Sequence, residues 1–319
     1  MYIDPRHLEQ LAVIVDSGTL QRAAARLGTS QPALSRMIAT LEARIGAPLF
    51  ERTSRPMRPT AIGVELSGQG RAIRTARLRA SEAADLNARG FFGVLKIGAP
   101  PFLCRNLMSE AIASFLRARP NIRIDLIPDY HAGLMERIRA NQLDIIVGPS
   151  KFVDQGDTDL RLDPLFSDAI VVVGRAGHPV MRLARPRPAD LEGVTWVGHS
   201  QRSALLSDME TALRLWGLRR PRIAFQSESA EAVLELLRET DFLTVLPSYA
   251  LRPGGGDGLA VADIALPARP HAISAITLAE RSASRLVADF RDHLRRRLAG
   301  RSADKAAGAP VRSSPDPHP

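Results

Sequence analysis

The chain has 319 residues, 45% hydrophobic and 24% charged, with a formal net charge of +9. That length calls for two or three domains, and that balance excludes a disordered chain. No run approaches the roughly 20 apolar residues of a membrane span, and the single Cys104 excludes an internal disulfide or a multi-cysteine metal site. MYIDPRHLEQ carries a proline and mixed charge where a secretory signal needs an apolar core, so a cytoplasmic protein is expected. Of the 43 basic residues only Lys96, Lys151 and Lys305 are lysines. Arginine forks suit phosphates and guanine edges, and residues 1–93 hold thirteen arginines against eight acids.

Asp4-Pro5 is a helix start, and Leu8, Leu11, Ala12 and Val15 share one face before Ser17-Gly18 stops the helix. Thr19 caps a second, short helix with Ala23, Ala24 and Leu27 inward, which Gly28 ends. Thr29-Ser30 leads into Gln31-Pro32, and Leu34, Ile38, Leu41 and Ile45 mark the buried stripe of a third helix closed by Gly46. Two short helices, a tight glycine turn and a third helix are what a helix-turn-helix requires.

The third helix starts with unusual chemistry. Gln31, Ala33, Ser35 and Arg36 point away from the Leu34/Ile38/Leu41 stripe and are small or hydrogen-bonding, so the helix start can approach base edges closely. Gln pairs with adenine and Arg with guanine, while Ser30 and backbone N–H groups take phosphates. Leu49 and Phe50 then anchor a short strand, and Arg52, Arg55 and Arg58 lie on a proline-rich hairpin beside phosphates or a narrow minor groove.

The run GTLQRAAARLGTSQPALSRMIATLEARIGAPLFERTSRPMRPTAIG resembles the N-terminal signature of LysR-type transcriptional regulators. The resemblance is close over residues 5–66, and the pattern agrees to about residue 298. It implies that DNA is read by Gln31, Pro32, Ala33, Ser35 and Arg36, with Thr19, Gln21 and Ser30 alongside and wing contacts from Arg52, Arg55 and Arg58. Thr60 opens a long helix whose Ile62, Leu66, Gln69, Ile73, Ala76, Ala80 and Ala83 follow a heptad spacing. The resemblance makes it the dimerisation linker, pairing two reading heads on a two-fold-related site. The expected domains are a winged helix-turn-helix over 1–60, a linker helix and hinge over 61–90, an effector domain over 91–300 and a disordered tail over 301–319.

From Phe91 onward, short apolar strands alternate with helical stretches, the pattern of a parallel sheet with crossover helices. Strands are expected at Val94–Gly98, Ile122–Ile127, Leu143–Val147, Ile170–Val173, Val194–Val197, Ile223–Gln226, Phe242–Leu246 and His271–Leu278. Helices are expected near Asn106–Arg119, Ala132–Ala140, Ala204–Gly217, Ser229–Glu239 and Ser284–Ala299. The fold class is therefore α/β, with an all-α-type winged helix-turn-helix in front. Its C-terminal two-lobed effector domain resembles periplasmic binding proteins, lobe 1 holding about 91–167 and 268–300 and lobe 2 about 168–267. Ligands bind outside the C-terminal ends of such strands. That places Pro101, Phe102, His131, Pro149, Ser150, Ser200, Ser203, Ser227 and Pro247 at an effector pocket suited to a carboxylate or other polar small molecule. Where many family members carry a G-x-G-(I/V) turn, this chain has Thr240-Asp241-Phe242, which is expected to set Phe242 beside the cleft.

The glycine run Gly254-Gly255-Gly256 lacks the Lys-Ser/Thr of a phosphate loop, and Cys104 has no partner for peroxide sensing. The expectation is a regulator and not an enzyme, with no cofactor beyond its small-molecule effector. Its partners are double-stranded DNA and copies of itself as a dimer of dimers, with a contact to RNA polymerase and none to membrane.

Overall fold

The computed structural model describes residues 2–51, 57–154, 156–251, 258–262, 264, 271–279 and 284–306. Arg52, Arg55 and residues 307–319 of the expected tail lie outside them. The chain divides into an N-terminal unit ending at Phe92 and a C-terminal unit starting at Gly93.

In the first unit, α1 (Pro5–Ser17), α2 (Leu20–Leu27) and α3 (Gln31–Ile45) begin at Asp4, Thr19 and Ser30. Each of these side chains accepts a hydrogen bond from a backbone N–H of the first turn, which leaves one orphan donor fewer at every helix start. Gly28, at φ +62°, makes the left-handed turn that lets α3 leave α2 after three residues. Leu11, Ile14, Ala23, Leu34, Leu41 and Leu49 are fully buried among these helices.

The long helix α4 (Ala61–Ala88) departs from expectation. Ile62, Leu66 and Ile73, read as part of a stripe for a partner helix, pack instead against this unit's own core. Glycine makes that possible. A Cβ at Gly70 would overlap the carbonyl oxygen of Leu8, and one at Gly63 that of Leu49, so backbone lies on backbone. Arg71 and Arg74 pair with Asp16, and Arg77 with Glu9, beside the seam. Gln69, Ala76, Ala80 and Ala83 of the stripe remain exposed.

Among the described residues, the second unit holds two five-stranded sheets. The first runs β2 (Arg123–Pro128), β1 (Val94–Ala99), β3 (Ile145–Pro149), β10 (His271–Leu278), β4 (Leu160–Asp168). The second runs β7 (Arg222–Ser227), β6 (Thr195–His199), β8 (Phe242–Pro247), β5 (Ile170–Arg175), β9 (Leu259–Ala262). In each, three strands are parallel and the strands arriving from the other lobe are antiparallel. One buried cluster joins Leu95, Phe115 and Ile145 of the first lobe to Val197, Leu234 and Leu246 of the second. Asp168 pins the crossings together, accepting from Ser248 Oγ at 2.7 Å and Tyr249 N at 2.9 Å.

Strands β4 and β9 were not expected. Both are sheet edges, where a run such as Leu160-Arg-Leu-Asp-Pro tolerates charges and the register irregularity beside Pro164. The helix expected from Asn106 starts at Pro101 instead, as α5 (Pro101–Leu103), a π-helical turn (Cys104–Met108) and α6 (Ser109–Ala118). The crossover helices are α7 (His131–Arg139), α8 (Ala204–Leu215) and α9 (Ala230–Glu239). The last helix, α10 (Arg285–Ala306), continues through the first six residues read as tail. Phe242 begins β8, at the end remote from the cleft, because β6, β7 and β8 are parallel and their C-terminal ends face the first lobe. It therefore does not crowd the ligand side.

Candidate DNA interface and effector cleft

The start of α3 is an exposed, preformed surface. Ser30 Oγ accepts from Ala33 N at 3.3 Å, and Leu34, Met37, Ile38 and Leu41 hold the opposite face in the core. Gln31, Pro32, Ser35 and Arg36 are exposed and Ala33 is half-buried. Thr19 is exposed with its Oγ1 accepting from Arg22 N at 3.3 Å, and Gln21 is exposed beside it on α2. Among the described residues no hydrogen bond or ion pair engages the Gln21, Gln31, Ser35 or Arg36 side chains. The base of the wing is fixed to this frame. Glu42 Oε1 accepts from Leu49 N at 2.7 Å, and Thr60 Oγ1 donates to the Pro48 carbonyl at 2.8 Å. An antiparallel bridge joins Phe50 to Pro59, with Glu51 N donating to Arg58 O at 2.9 Å, and the Arg58 side chain is exposed.

In the second unit, Pro101 and Phe102 follow β1, Pro149 and Ser150 end or follow β3, and Ser200 and Ser203 follow β6. Pro101, Phe102, Pro149 and Ser203 meet in an inner recess closed by Tyr130, Phe152, Leu205 and Tyr249, where only about 20 Å³ remains. That is room for one water. The other expected residues serve the protein itself. His131 stacks on Phe152 with ring centroids 4.5 Å apart and bonds the Phe152 carbonyl oxygen. Ser150 Oγ lies 2.7 Å from Ser274 Oγ, Ser227 Oγ accepts from Ser229 N, and Pro247 is buried at the end of β8. Across the recess Phe102 stands edge-on to His199, whose Nε2 is 2.8 Å from the Val245 carbonyl oxygen. Burial holds the His199 imidazole below its ordinary range, hence neutral.

Ligand-sized space lies outside the recess, in a mouth of about 740 Å³ between the lobes. Its charged residues were missed by sequence reasoning. Arg202 Nη2 reaches Asp129 Oδ1 at 3.1 Å across the mouth and Nη1 reaches Glu228 Oε2 at 3.4 Å, with the guanidinium 5.2 Å from the Tyr130 ring centroid. Tyr130 Oη donates to the Glu228 carbonyl at 2.7 Å, and Ser200 Oγ donates to Glu228 Oε1 at 2.8 Å. Arg105, from the π-helical turn, pairs with Glu231 in the first turn of α9 at 2.5 Å. Cys104 also lines the mouth, but burial pushes its thiol up to about 12. The signal for these residues was present, since all follow strand ends by a few positions.

An exposed helix start on a three-helix core and a two-lobed α/β domain with an interlobe cleft define a DNA-binding regulator carrying a sensing domain. Family comparison gives the narrower class. The bacterial regulatory helix-turn-helix protein, lysR family, matches residues 5–64, and the LysR substrate binding domain matches residues 88–299. The chain belongs to the LysR-type regulators. It is 31% identical over 242 residues to the HTH-type transcriptional regulator GbpR of Azospirillum brasilense, covering 75% of this chain and 70% of the relative. It is 25% identical over 292 residues to the transcriptional activator protein LysR of Escherichia coli K12, covering 92% of each. Among solved structures, full-length CbnR complexed with its target DNA superposes with a TM-score of 0.62 at 22% identity, covering 92% of this chain and 99% of that one. The protein is thus a LysR-type, DNA-binding transcriptional regulator with a substrate-binding effector domain. Among its described residues no helix is long and apolar enough to cross a membrane.

Proposed function

We propose that this regulator reads its operator with the first two turns of α3. Gln31, Pro32, Ala33, Ser35 and Arg36 meet base edges in a major groove, while Thr19, Gln21, Ser30 and the wing arginines Arg52, Arg55 and Arg58 meet the flanking backbone. The observation that carries this reading is that Gln31, Ser35 and Arg36 are exposed on a helix whose other face is locked in the core. Two copies pair along the exposed lower half of α4, through Ala76, Leu78, Ala80 and Ala83, and two such pairs form a tetramer. The operator is a partial palindrome upstream of a promoter.

A small molecule held between the lobes biases their arrangement and so the spacing of the paired heads, DNA bending and a contact to RNA polymerase. The protein works in the cytoplasm as a sensor, not a catalyst, and needs no cofactor beyond that effector. Selection of bound duplexes from a random pool, followed by footprinting, tests this. Enrichment of a two-fold-related motif is expected; enrichment of nothing over random competitor would sink the proposal.

A further inference from the structure

We infer that the end of lobe 2 remote from the cleft carries a site for a phosphoryl group, held between the guanidiniums of Arg175 and Arg182 beside Gly177. The strand order sets the place. β5 runs antiparallel to β8, with Val173 opposite Thr244, so Arg175 closes β5 at the end of the sheet where Phe242 begins β8. The chain turns there. His178 N donates to the Arg175 carbonyl at 3.0 Å, and Ala176 N donates to the Gly258 carbonyl at 2.9 Å. The buried His178 ring accepts from Val180 N through Nδ1 at 3.1 Å. The turn is thus tied to the start of β9 on one side and to the helical turn Pro179–Arg182 on the other. Two guanidiniums converge on the face that Gly177 leaves bare. A Cβ at Gly177 would lie 2.3 Å from Arg175 Nη1 and 3.7 Å from Arg182 Nη2.

Both guanidiniums keep donors to spare. Arg175 gives Nε and Nη2 to Asp241 Oδ1, at 2.7 and 2.6 Å, and turns Nη1 toward Gly177. Arg182 is exposed and forms no ion pair or side-chain hydrogen bond among the described residues. One carboxylate therefore stands against two cations, and it is committed to one edge of one fork. A monocarboxylate entering here would balance the second cation without engaging both forks. A phosphoryl group brings about two charges and three acceptor oxygens, so one oxygen reaches Arg175 Nη1 while the others take the Arg182 fork. The surroundings favour the higher charge too. Arg182, Arg185, Arg219, Arg220 and Arg222 are exposed at this end without an ion pair among the described residues, against the unpaired carboxylates of Glu192 and Glu239.

A free phosphomonoester and the backbone of nucleic acid both present this group, and two measurements on the full chain separate them. Calorimetric titration with phenyl phosphate at pH 8 and constant ionic strength reads the first; quantitative gel shifts with a duplex of random sequence read the second. Arg182→Gln should weaken phenyl phosphate binding about tenfold, the scale of one lost charge-assisted contact. Gly177→Asp, which sets a carboxylate between the guanidiniums, should abolish it. Unchanged duplex binding in both variants then assigns the site to a free monoester. Where the backbone is the source, both variants weaken duplex binding and Arg182→Gln lowers its salt slope by about 1, even if the lone monoester binds too weakly to measure. Arg117→Gln, which removes one exposed charge from α6 of lobe 1, should alter neither reading. Arg182→Gln keeps the test decisive if Gly177→Asp does not fold, because an exposed side chain without a partner supports no packing. Variants that leave both readings unchanged overturn the inference. So does an equal effect of Arg117→Gln, or benzoate binding as tightly as phenyl phosphate with the same loss in the variants.

Discussion

The start of α3 and the mouth of the cleft, two surfaces proposed to bind, hold their polar groups in opposite ways. On α3 the Gln31, Ser35 and Arg36 side chains are exposed and engage nothing among the described residues. In the mouth, Arg105 is held by Glu231, and Arg202 by Asp129 and Glu228. The first surface is preorganised by its backbone and awaits a partner that brings its own charge. The second is already neutralised from within, so a ligand must exchange one pair for another. Affinity at the head should therefore follow contacts added, and affinity in the cleft should follow contacts traded.

The hardest way to break this contrast is to move the head's scaffold. Gly70→Val places a side chain against the Leu8 carbonyl and should cost about 3 kcal/mol of stability, read by chemical denaturation, and DNA binding with it. A stable variant would show that α4 is not seated on α1 as described. Next, Arg36→Ala should weaken binding to the selected operator by about 1–3 kcal/mol while changing stability by less than about 0.5 kcal/mol. A loss of stability equal to the loss of binding would mean that the side chain is structural, against its exposure. Arg58→Ala should act more evenly, weakening all duplexes and lowering the salt slope by about 1 in quantitative gel shifts.

Two smaller effects sharpen the cleft side. His199, beside the recess, is held below the ordinary 6.5, first by burial. A histidine with a lowered folded pKa binds fewer protons folded than unfolded, so its contribution is present above pH 6.5 and is lost as pH falls below it. The melting temperature should drop between pH 7 and pH 5, and less so in His199→Gln. Equal drops in the two proteins would exclude His199 as the cause. Last, Cys104, with its thiol pushed up to about 12, should react with iodoacetamide at pH 8 at least about tenfold more slowly than free cysteine. Rapid labelling would show the mouth to be more open than it is drawn.

Much of the head was readable from residues alone. Asp4, Thr19, Ser30 and the glycines after each helix act over two to five positions, and the structure places helix ends where those residues put them. The linker was half-readable. A heptad count reports a stripe but not its occupant, and the small residues at Gly63 and Gly70 gave the upper half to the chain's own Leu49 and α1. In the cleft, the backbone positions after strand ends were found, yet hydroxyls were chosen over charges. Ser150 and Ser227 proved to bond neighbouring serines, and Arg105 and Arg202, which the sequence reading did not single out, line the mouth.

What the order of residues determined by itself is whatever is decided within a turn or two of chain: the caps, the three short helices, the exposed start of α3, the alternation of strand and helix, and the family signature. Only the tertiary structure decided which charges face each other. Arg105 and Glu231 are 126 positions apart, and Asp129 and Arg202 are 73 apart. Their meeting depends on the register of two sheets and the crossing of two strands pinned at Asp168, and no local propensity encodes a distance set by packing that far along the chain.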